Sequence, residues 1–326
     1  MLFVENNNTN PYVNHALEEW LMENCGEDCF LLWRNQKAVL LGRNQNAYSE
    51  LNLPYIRGHG VFVVRRITGG GAVFTDAGNL MFSFISREGR RGLNDFRRFA
   101  EPVLAVLQKM GVPAEFTGRN DLVIQGMKFS GNAQCLYAGK LLHHGTLMFD
   151  ADTGELENVL RTNPLKLRDK HVASVQSRVT NLRKHLPAEM SIETFRAALW
   201  DGVLQQMPEA KLLRLSEADW DAVRRRAAEK HMTTEWIYGR KPGFQEFRET
   251  KFPGGIVQAY FSLADGRLTK LRLCGDFFSD GDISAVEAAL EGVPYEAASI
   301  RDALAGFPPD TYFYGISMDE FIRAIV

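Results

Sequence analysis

The stretch RRITGGGAVFTDAGN, residues 65 to 79, constrains the chain more than any other. Three consecutive glycines, Gly69, Gly70 and Gly71, follow the β-rich run GVFVVR at residues 60 to 65. Bare backbone at the end of a strand means either a tight turn or a loop against which something packs closely. The spacing does not fit the dinucleotide pattern G-x-G-x-x-G, and the Gly-Lys-Ser/Thr ending of a phosphate-binding loop is missing. Arg65 and Arg66 still suit an anion, because unobstructed backbone N–H groups and a fixed guanidinium fork both favour phosphate oxygens.

A second stretch, TGRNDLVIQGMKFSGNA at residues 117 to 133, sets Lys128 just past a Gln-Gly-Met turn, between apolar strand-like runs. Partial burial of its stem would hold the ammonium where negative charge gathers on phosphate or on a transferring acyl or adenylyl group. Asn120 and Asp121 precede it, and the carboxylate could carry magnesium through water. A third stretch, LLHHGTLMF at 141 to 149, puts two histidines in a strand pattern. His143 and His144 then alternate faces, so at most one of them lines any pocket.

The rest of the chain sets the frame. Its 326 residues are enough for about two domains, and the 45% hydrophobic and 24% charged content is that of an ordinary globular protein. A net charge of -2 gives no electrostatic footprint for nucleic acid. No run approaches the ~20 apolar residues that span a bilayer, and no charged segment leads into an apolar one at the start, so a cytoplasmic protein is expected. Cys25, Cys29, Cys135 and Cys274 read as plain thiols, since no ligand-spaced Cys or His follows Cys29.

Periodicity predicts helices at Asn14–Glu23, Leu93–Met110, Ile192–Gln206 and Glu217–Lys230. Strands are expected at CFLLWRN, KAVLLGRNQ, GVFVVR and NLMFSFIS, and between Glu115 and Phe149 with turns at Gln125-Gly126 and Ala138-Gly139-Lys140. The polar, Gly- and Pro-punctuated WIYGRKPGF at 236 to 244 marks a boundary. Beyond it, Gln245–Cys274 reads as a hairpin-bearing sheet with a turn at Asp265-Gly266, and Ile283–Val326 as two or three short helices. The fold class is α+β, with mixed or antiparallel sheets flanked by helices. A domain spanning 1–240 precedes a small α+β domain spanning 245–326.

RRITGGGAVFTDAGN, GRNDLVIQGMKFSGNA and HHGTL, in this order and spacing, resemble the lipoate–protein ligase family, as do NHALEEWL, LGRNQNAYSEL and SVQSRVTNL. The likeness covers about the first 240 residues, and the C-terminal piece is similar to the accessory domain of bacterial two-domain members. It implies a biotin/lipoate ligase-like catalytic domain and a two-step, ATP- and magnesium-dependent reaction. Lipoate attacks the α-phosphate of ATP to give lipoyl-adenylate, and a lysine of an acceptor protein then displaces AMP. Arg66, Gly71, Ala72, Val73 and Phe74 match the family's nucleotide-binding segment, with Asn120 and Asp121 facing the phosphates and metal. Lys128 matches the lysine that meets both the lipoyl carboxylate and the α-phosphate. Arg66, Gly69, Gly70, Gly71, Lys128, His144, Gly145 and Thr146 would line the lipoate site. Met127 stands where the family most often has a second lysine, and Thr75 where a histidine or another polar residue is expected; neither removes a residue of stated role.

The resemblance also implies the partners: lipoyl domains of 2-oxo-acid dehydrogenase complexes, the glycine-cleavage H protein, or both, with no nucleic acid and no membrane. Basic stretches at Arg87–Arg98 and Lys166–Lys170 could steer such acidic acceptors. The alternative is an octanoyl- or lipoyl-transferase, which resembles the same domain but uses no ATP and passes the acyl group through a cysteine thioester. Cys135 would have to be that nucleophile.

Overall fold

The computed structural model describes residues 1–161, 178–239 and 243–326. The Lys166–Lys170 stretch, the first half of SVQSRVTNL and the centre of the expected linker lie outside them. The chain forms two compact units that do not follow one another in sequence. One comprises Met1–Leu40, Leu51–Val64 and Val73–Ile237; the other comprises Leu41–Glu50, Arg65–Ala72 and Tyr238–Val326.

The first unit is built on an eight-stranded sheet among the described residues. Its strands are β1 (Leu2–Val4), β2 (Cys29–Trp33), β6 (Asn79–Ser86), β7 (Ala114–Thr117), β8 (Asp121–Ile124), β9 (Met127–Tyr137), β10 (Lys140–Met148) and β11 (Lys211–Leu213), in the order β11-β1-β2-β6-β10-β9-β8-β7. β11, β1 and β2 run parallel, and the others pair antiparallel. The two expected turns close β8–β9 and β9–β10, with positive φ at Gln125 (51°), Gly126 (78°), Ala138 (48°) and Gly139 (75°). That geometry matches the right-handed twist of the strands it joins.

KAVLLGRNQ does form a strand, β3 (Ala38–Leu41), but it does not pair with β2 across Asn35-Gln36. It lies between β4 (Phe62–Arg65) and β5 (Val73–Thr75) in a separate three-stranded sheet.

Two helices seal one face of the large sheet: α2 (Phe96–Lys109) and α3 (Ile192–Leu204). Phe99, Val103 and Leu107 of α2, with Phe195, Leu199 and Val203 of α3, join Phe82, Phe84, Leu122 and Phe129 in one apolar core. Spacing of four residues places each set on a single helix face. The opposite face carries α1 (Pro11–Asn24), started by Asn10, whose side chain accepts from the N–H groups of Tyr12 and Val13 at 3.0 and 3.4 Å. α4 (Glu217–Arg226) packs beside α1 through Glu19, which meets Arg226 at 3.1 Å.

In the second unit, β12 (Glu246–Phe252), β13 (Gly255–Ala264) and β14 (Arg267–Gly275) make an antiparallel sheet, turning at Asp265-Gly266 as expected. Val257, Ala259 and Phe261 face a core shared with α5 (Ile283–Leu290), α6 (Ala297–Ala303) and α7 (Met318–Ile325). A fourth short helix, Pro309–Tyr312, exceeds the two or three expected. The early segment joins this unit through hydrogen bonds: Gly275 N–H donates to Asn44 O at 2.9 Å, and Asn46 Nδ2 to the Tyr260 hydroxyl at 3.1 Å.

Candidate functional site

β4 delivers two arginines that are both buried, 6% and 5% exposed, and that do different work. Arg65 Nη1 donates to the carbonyls of Gly42, Arg43 and Gln45 at 2.9, 3.0 and 2.7 Å. It fixes that loop, and burial pushes its guanidinium down to about 10. Arg66 turns to the glycines: Nε donates to Thr68 Oγ1 at 2.9 Å, and Nη2 to the carbonyls of Gly69 and Gly71 at 2.7 and 2.8 Å. The guanidinium thus fastens the loop it precedes.

The three glycines have three different reasons. A side chain at Gly69 would come within 2.8 Å of Phe277 O and 2.9 Å of Phe278 Cα. Gly70 has φ +90°, and an added Cβ would crowd Arg66 and the Phe278 ring. Nothing lies within 4 Å of the Cβ direction of Gly71. Protein packing therefore accounts for the first two, and only Gly71 faces open space. Ala72 ends this segment, and Val73 and Phe74 start β5 in the first unit.

Within the first unit, strand register decides where Lys128 points. Asp121 opposes Gly131, and Leu122 opposes Ser130, but Val123 opposes Lys128. The extra residue is Phe129, which goes into the core beside Leu122. This β-bulge moves Lys128 to the other face of the sheet, where Asp121 and Gly131 already point. Across the next pairing Ala133 opposes His144, and Thr146, two residues on and within reach of Gly131 N–H, shares its face. Asp121, Lys128, His144 and Thr146 therefore stand on one side of the large sheet.

The contacts there are specific. Lys128 Nζ meets Asp121 Oδ1 at 2.7 Å, and both groups are partly exposed. A Cβ on Gly131 would sit 2.9 Å from that ammonium, so the glycine gives the lysine its seat. Gly131 N–H donates to Thr146 Oγ1 at 3.2 Å. Asn120 turns inward instead: its Nδ2 donates to Asn132 O at 2.5 Å, and Asn132 Nδ2 returns a bond to Asn120 O at 3.0 Å. Gly145 leaves room for Asn132 and Phe82, which a Cβ would meet at 2.2 and 2.5 Å.

His144 is 4% exposed, with Nδ1 hydrogen-bonded to Glu18 Oε1 at 2.9 Å. The same oxygen accepts from Ser83 Oγ at 2.7 Å, and Oε2 faces His15 Nδ1 at 3.0 Å. Trp33 Nε1 donates to Ser83 Oγ at 2.8 Å and completes the chain. Burial alone would raise the Glu18 carboxyl, but the charge and hydrogen bonds of His144 and His15 outweigh it and hold it well below the usual carboxylate range. His143, on the other face as alternation requires, stacks on Phe99 and is pushed down to about 3 by burial, with His144 adding to it. Glu18 is the residue that sequence reading left without a role. Two adjacent glutamates, Glu18 and Glu19, set among Ala16, Leu17 and Leu21 in the helical spacing of NHALEEWL, were the signal, and both are buried beside Asn14 and His15.

Two expectations meet specific surroundings. Cys135 lies 1% exposed within β9, opposite Leu142, which gives an acyl thioester no reachable sulfur. Among the described residues, no group of three or more His, Cys, Asp or Glu is arranged to hold a metal ion. Asp121 offers a single carboxylate, which suits magnesium only if phosphates and water complete its shell.

Comparison with known proteins finds two family matches along the chain. Residues 10–203 match the model for the lipoyl protein ligase A/B catalytic domain, and 241–325 that for the bacterial lipoate protein ligase C-terminus. Lipoate–protein ligase 1 of Staphylococcus aureus is 38% identical, over 99% of each chain. Among solved structures, Plasmodium falciparum LipL1 in complex with lipoate superposes with a TM-score of 0.79 at 25% identity, covering 93% of this chain and 94% of that one. A bi-partite lipoate protein ligase from Thermoplasma acidophilum, solved in a study of that ligase and its E2 lipoyl domain, gives 0.65 at 28% identity, covering 74% and 97%. By its sequence over the full length and by its α+β fold, this chain belongs to the lipoate–protein ligase family and is an enzyme of that class.

Proposed function

We propose that the enzyme joins lipoate to a lysine of an acceptor protein through lipoyl-adenylate, consuming ATP and releasing pyrophosphate and then AMP. The observation that carries this reading is the bulge at Phe129, which turns Lys128 out of the core onto the face of Asp121, Thr146 and His144. A packed strand lysine needs no such device. In the proposed reaction the lipoate carboxylate replaces Asp121 as the partner of the Lys128 ammonium, which also meets the α-phosphate as negative charge builds there. No covalent intermediate on the enzyme is required. Holding carboxylate and phosphate on one fixed cation supplies proximity as well as charge.

Arg66, Gly71, Ala72, Val73 and Phe74 are proposed to take the nucleotide. Gly71, with nothing within 4 Å of its Cβ direction, is the position at which a ligand could lie on backbone. His144, held rigidly by Glu18, and Thr146 would line the lipoyl chain, with Gly145 shaping the backbone beside them. Magnesium, arriving on the phosphates and held by Asp121 with Asn120 nearby, would neutralise phosphate charge. We assign catalysis to residues 1–240 and an accessory role to 245–326.

Acceptors are proposed to be lipoyl domains of 2-oxo-acid dehydrogenases or the glycine-cleavage H protein. The arginines at 90, 91 and 97 are exposed and suited to steer an acidic surface, whereas Arg87 and Arg98 are already paired, with Asp28 at 3.5 Å and Glu88 at 2.6 Å. With no helix among the described residues long and apolar enough to cross a membrane, a cytoplasmic site of action is consistent.

The test is lipoate-dependent exchange of labelled pyrophosphate into ATP with magnesium and no acceptor. Exchange in the wild type that disappears in Lys128→Ala is the expected result. A wild type that transfers lipoyl or octanoyl groups from a protein donor without any exchange would overturn the adenylate route.

A further inference from the structure

The three-stranded sheet of the second unit ends differently on its two sides. Beyond β14, Leu268 N–H donates to Val293 O at 2.9 Å and Gly292 N–H to Leu268 O at 2.6 Å, so the segment after α5 closes that edge. β12 lies at the other edge and pairs only with β13 among the described residues. Its seven residues, EFRETKF, run opposite β13 one to one, from Glu246 against Phe261 to Phe252 against Gly255. A regular edge of that length offers a row of N–H and C=O groups to another strand, and proteins usually blunt it with a proline, a bulge or a covering loop. β12 contains neither a proline nor a bulge. Gln245, Glu246, Phe247 and Arg248 are exposed in succession, and Phe247 is 52% exposed.

The exposed side chains fall on both faces of the sheet. Phe247 opposes Tyr260, their ring centres 4.7 Å apart, on the face opposite Val257, Ala259 and Phe261. Glu246 and Arg248 stand on the core face, across from Phe261 and Ala259. Arg248 donates to Val326 O, just past α7, through one corner of its guanidinium. An acid and a base two residues apart thus flank one bare aromatic ring, a pattern that a copy of itself can answer.

A two-fold axis normal to the sheet lays one β12 antiparallel to another and keeps each side chain on its own face. Opposed residues share a face, so the axis must pass beside a residue and not between two. Beside Glu246, Arg248, Glu249 or Lys251 it would set a charge against its own copy. Beside Thr250 or Phe252 it would set Phe247 or Lys251 against Pro253, which has no N–H for the ladder. Beside Phe247, Glu246 of each copy opposes Arg248 of the other, and the two Phe247 rings meet across the axis. We propose that two copies of this chain pair through β12 in that register, joining their three-stranded sheets into one. Two opposite-charge pairs and an aromatic pair are cross-strand partners that stabilise antiparallel strands. The pairing is independent of the ligase reaction, since it uses none of the residues assigned to that reaction.

Light scattering behind size exclusion, on the full-length protein at rising concentration, reads the pairing. A contact of one strand pair belongs with the small, transient interfaces, so the mass should climb from one chain toward two between about 5 and 500 µM. Glu246→Arg alone, or Arg248→Glu alone, sets like charges opposite each other twice and should raise the dissociation constant at least roughly tenfold. An equimolar mixture of those two variants restores both opposite-charge pairs and should recover the association, which a misfolded variant could not do. Phe247→Cys, sitting on the axis, should form a disulfide with its own copy under mild oxidation, since the native cysteines are buried. A wild type that keeps the mass of one chain throughout that range would overturn the proposal. So would single variants that pair as tightly as the wild type, or a mixture that stays monomeric.

Discussion

Gly131 shows how much one missing methyl group can decide. Its absent Cβ is the space in which the Lys128 ammonium rests, 2.7 Å from Asp121. Gly131→Ala should therefore leave the strand intact and displace the charge. Circular dichroism and melting temperature should stay close to the wild type, while pyrophosphate exchange falls by about 100-fold, the cost expected if Lys128 is the catalytic group we propose and moves by ~1 Å. Exchange at the wild-type rate would show that the seat does not matter. The residues themselves were readable from sequence: a lysine past a Gln-Gly turn, a carboxylate seven residues before it. What could not be read is that Phe129 is an extra residue in the strand. A bulge is defined by its partner, and nothing in MKFSGNA announces where Val123 will pair. Arg66 was likewise picked out as an anion binder, but its bonds to Thr68 and to the carbonyls of Gly69 and Gly71 depend on a loop shape the letters do not state.

At the scale of elements, α1 carries the sheet's polar cargo on its buried side. Glu19 is fully buried among Arg226 at 3.1 Å, Lys230 at 2.8 Å and His231 at 3.1 Å. Burial works against its charge, but the bonds and charges of His231 and Lys230 prevail and hold the carboxyl down to about 2. A carboxyl depressed on folding contributes stability above its ordinary pKa and loses it as pH falls. Glu19→Gln should then be less stable at pH 7 by about 3 kcal/mol, and the gap should close between about pH 4.5 and 2. Urea unfolding of both proteins along that range measures it, and a gap independent of pH would refute the assignment. Helices with clean spacing, such as α2, and strands bounded by Gln125-Gly126 or Asp265-Gly266 were legible, because their signals are local. The separation of β2 from β3 into different sheets was not, since both read as short apolar strands around one polar turn. Nor was the bond from Glu18 to His144, which spans 126 residues and joins a helix face to a strand that only the fold brings together.

At the scale of the molecule, the second unit is stitched from three lengths of chain, and the glycine loop belongs to it. Gly69 and Gly70 are seated on Phe277 and Phe278, and Asn44 on Gly275. A chain ended at Gly239 should keep its β9–β10 pairing but lose these seats. Amide exchange at residues 42–46 and 66–71 should then accelerate at least roughly tenfold, with residues 128–136 unchanged, when read by mass spectrometry. Equal protection in both proteins would show that the loop holds itself.

The same stitching has a consequence for birth on the ribosome. About 200 residues separate Gly69 from the Phe277 it rests on, and at ~5–20 residues per second the loop is made some ~10–40 s before its support exists. Over that interval the stretch proposed to meet the nucleotide stands without that support. The polypeptide acquires the finished form of its proposed nucleotide segment only after Phe277 and Phe278 have been made, so a translation product cut short of them carries every motif of the first 240 residues without the scaffold that shapes one of them.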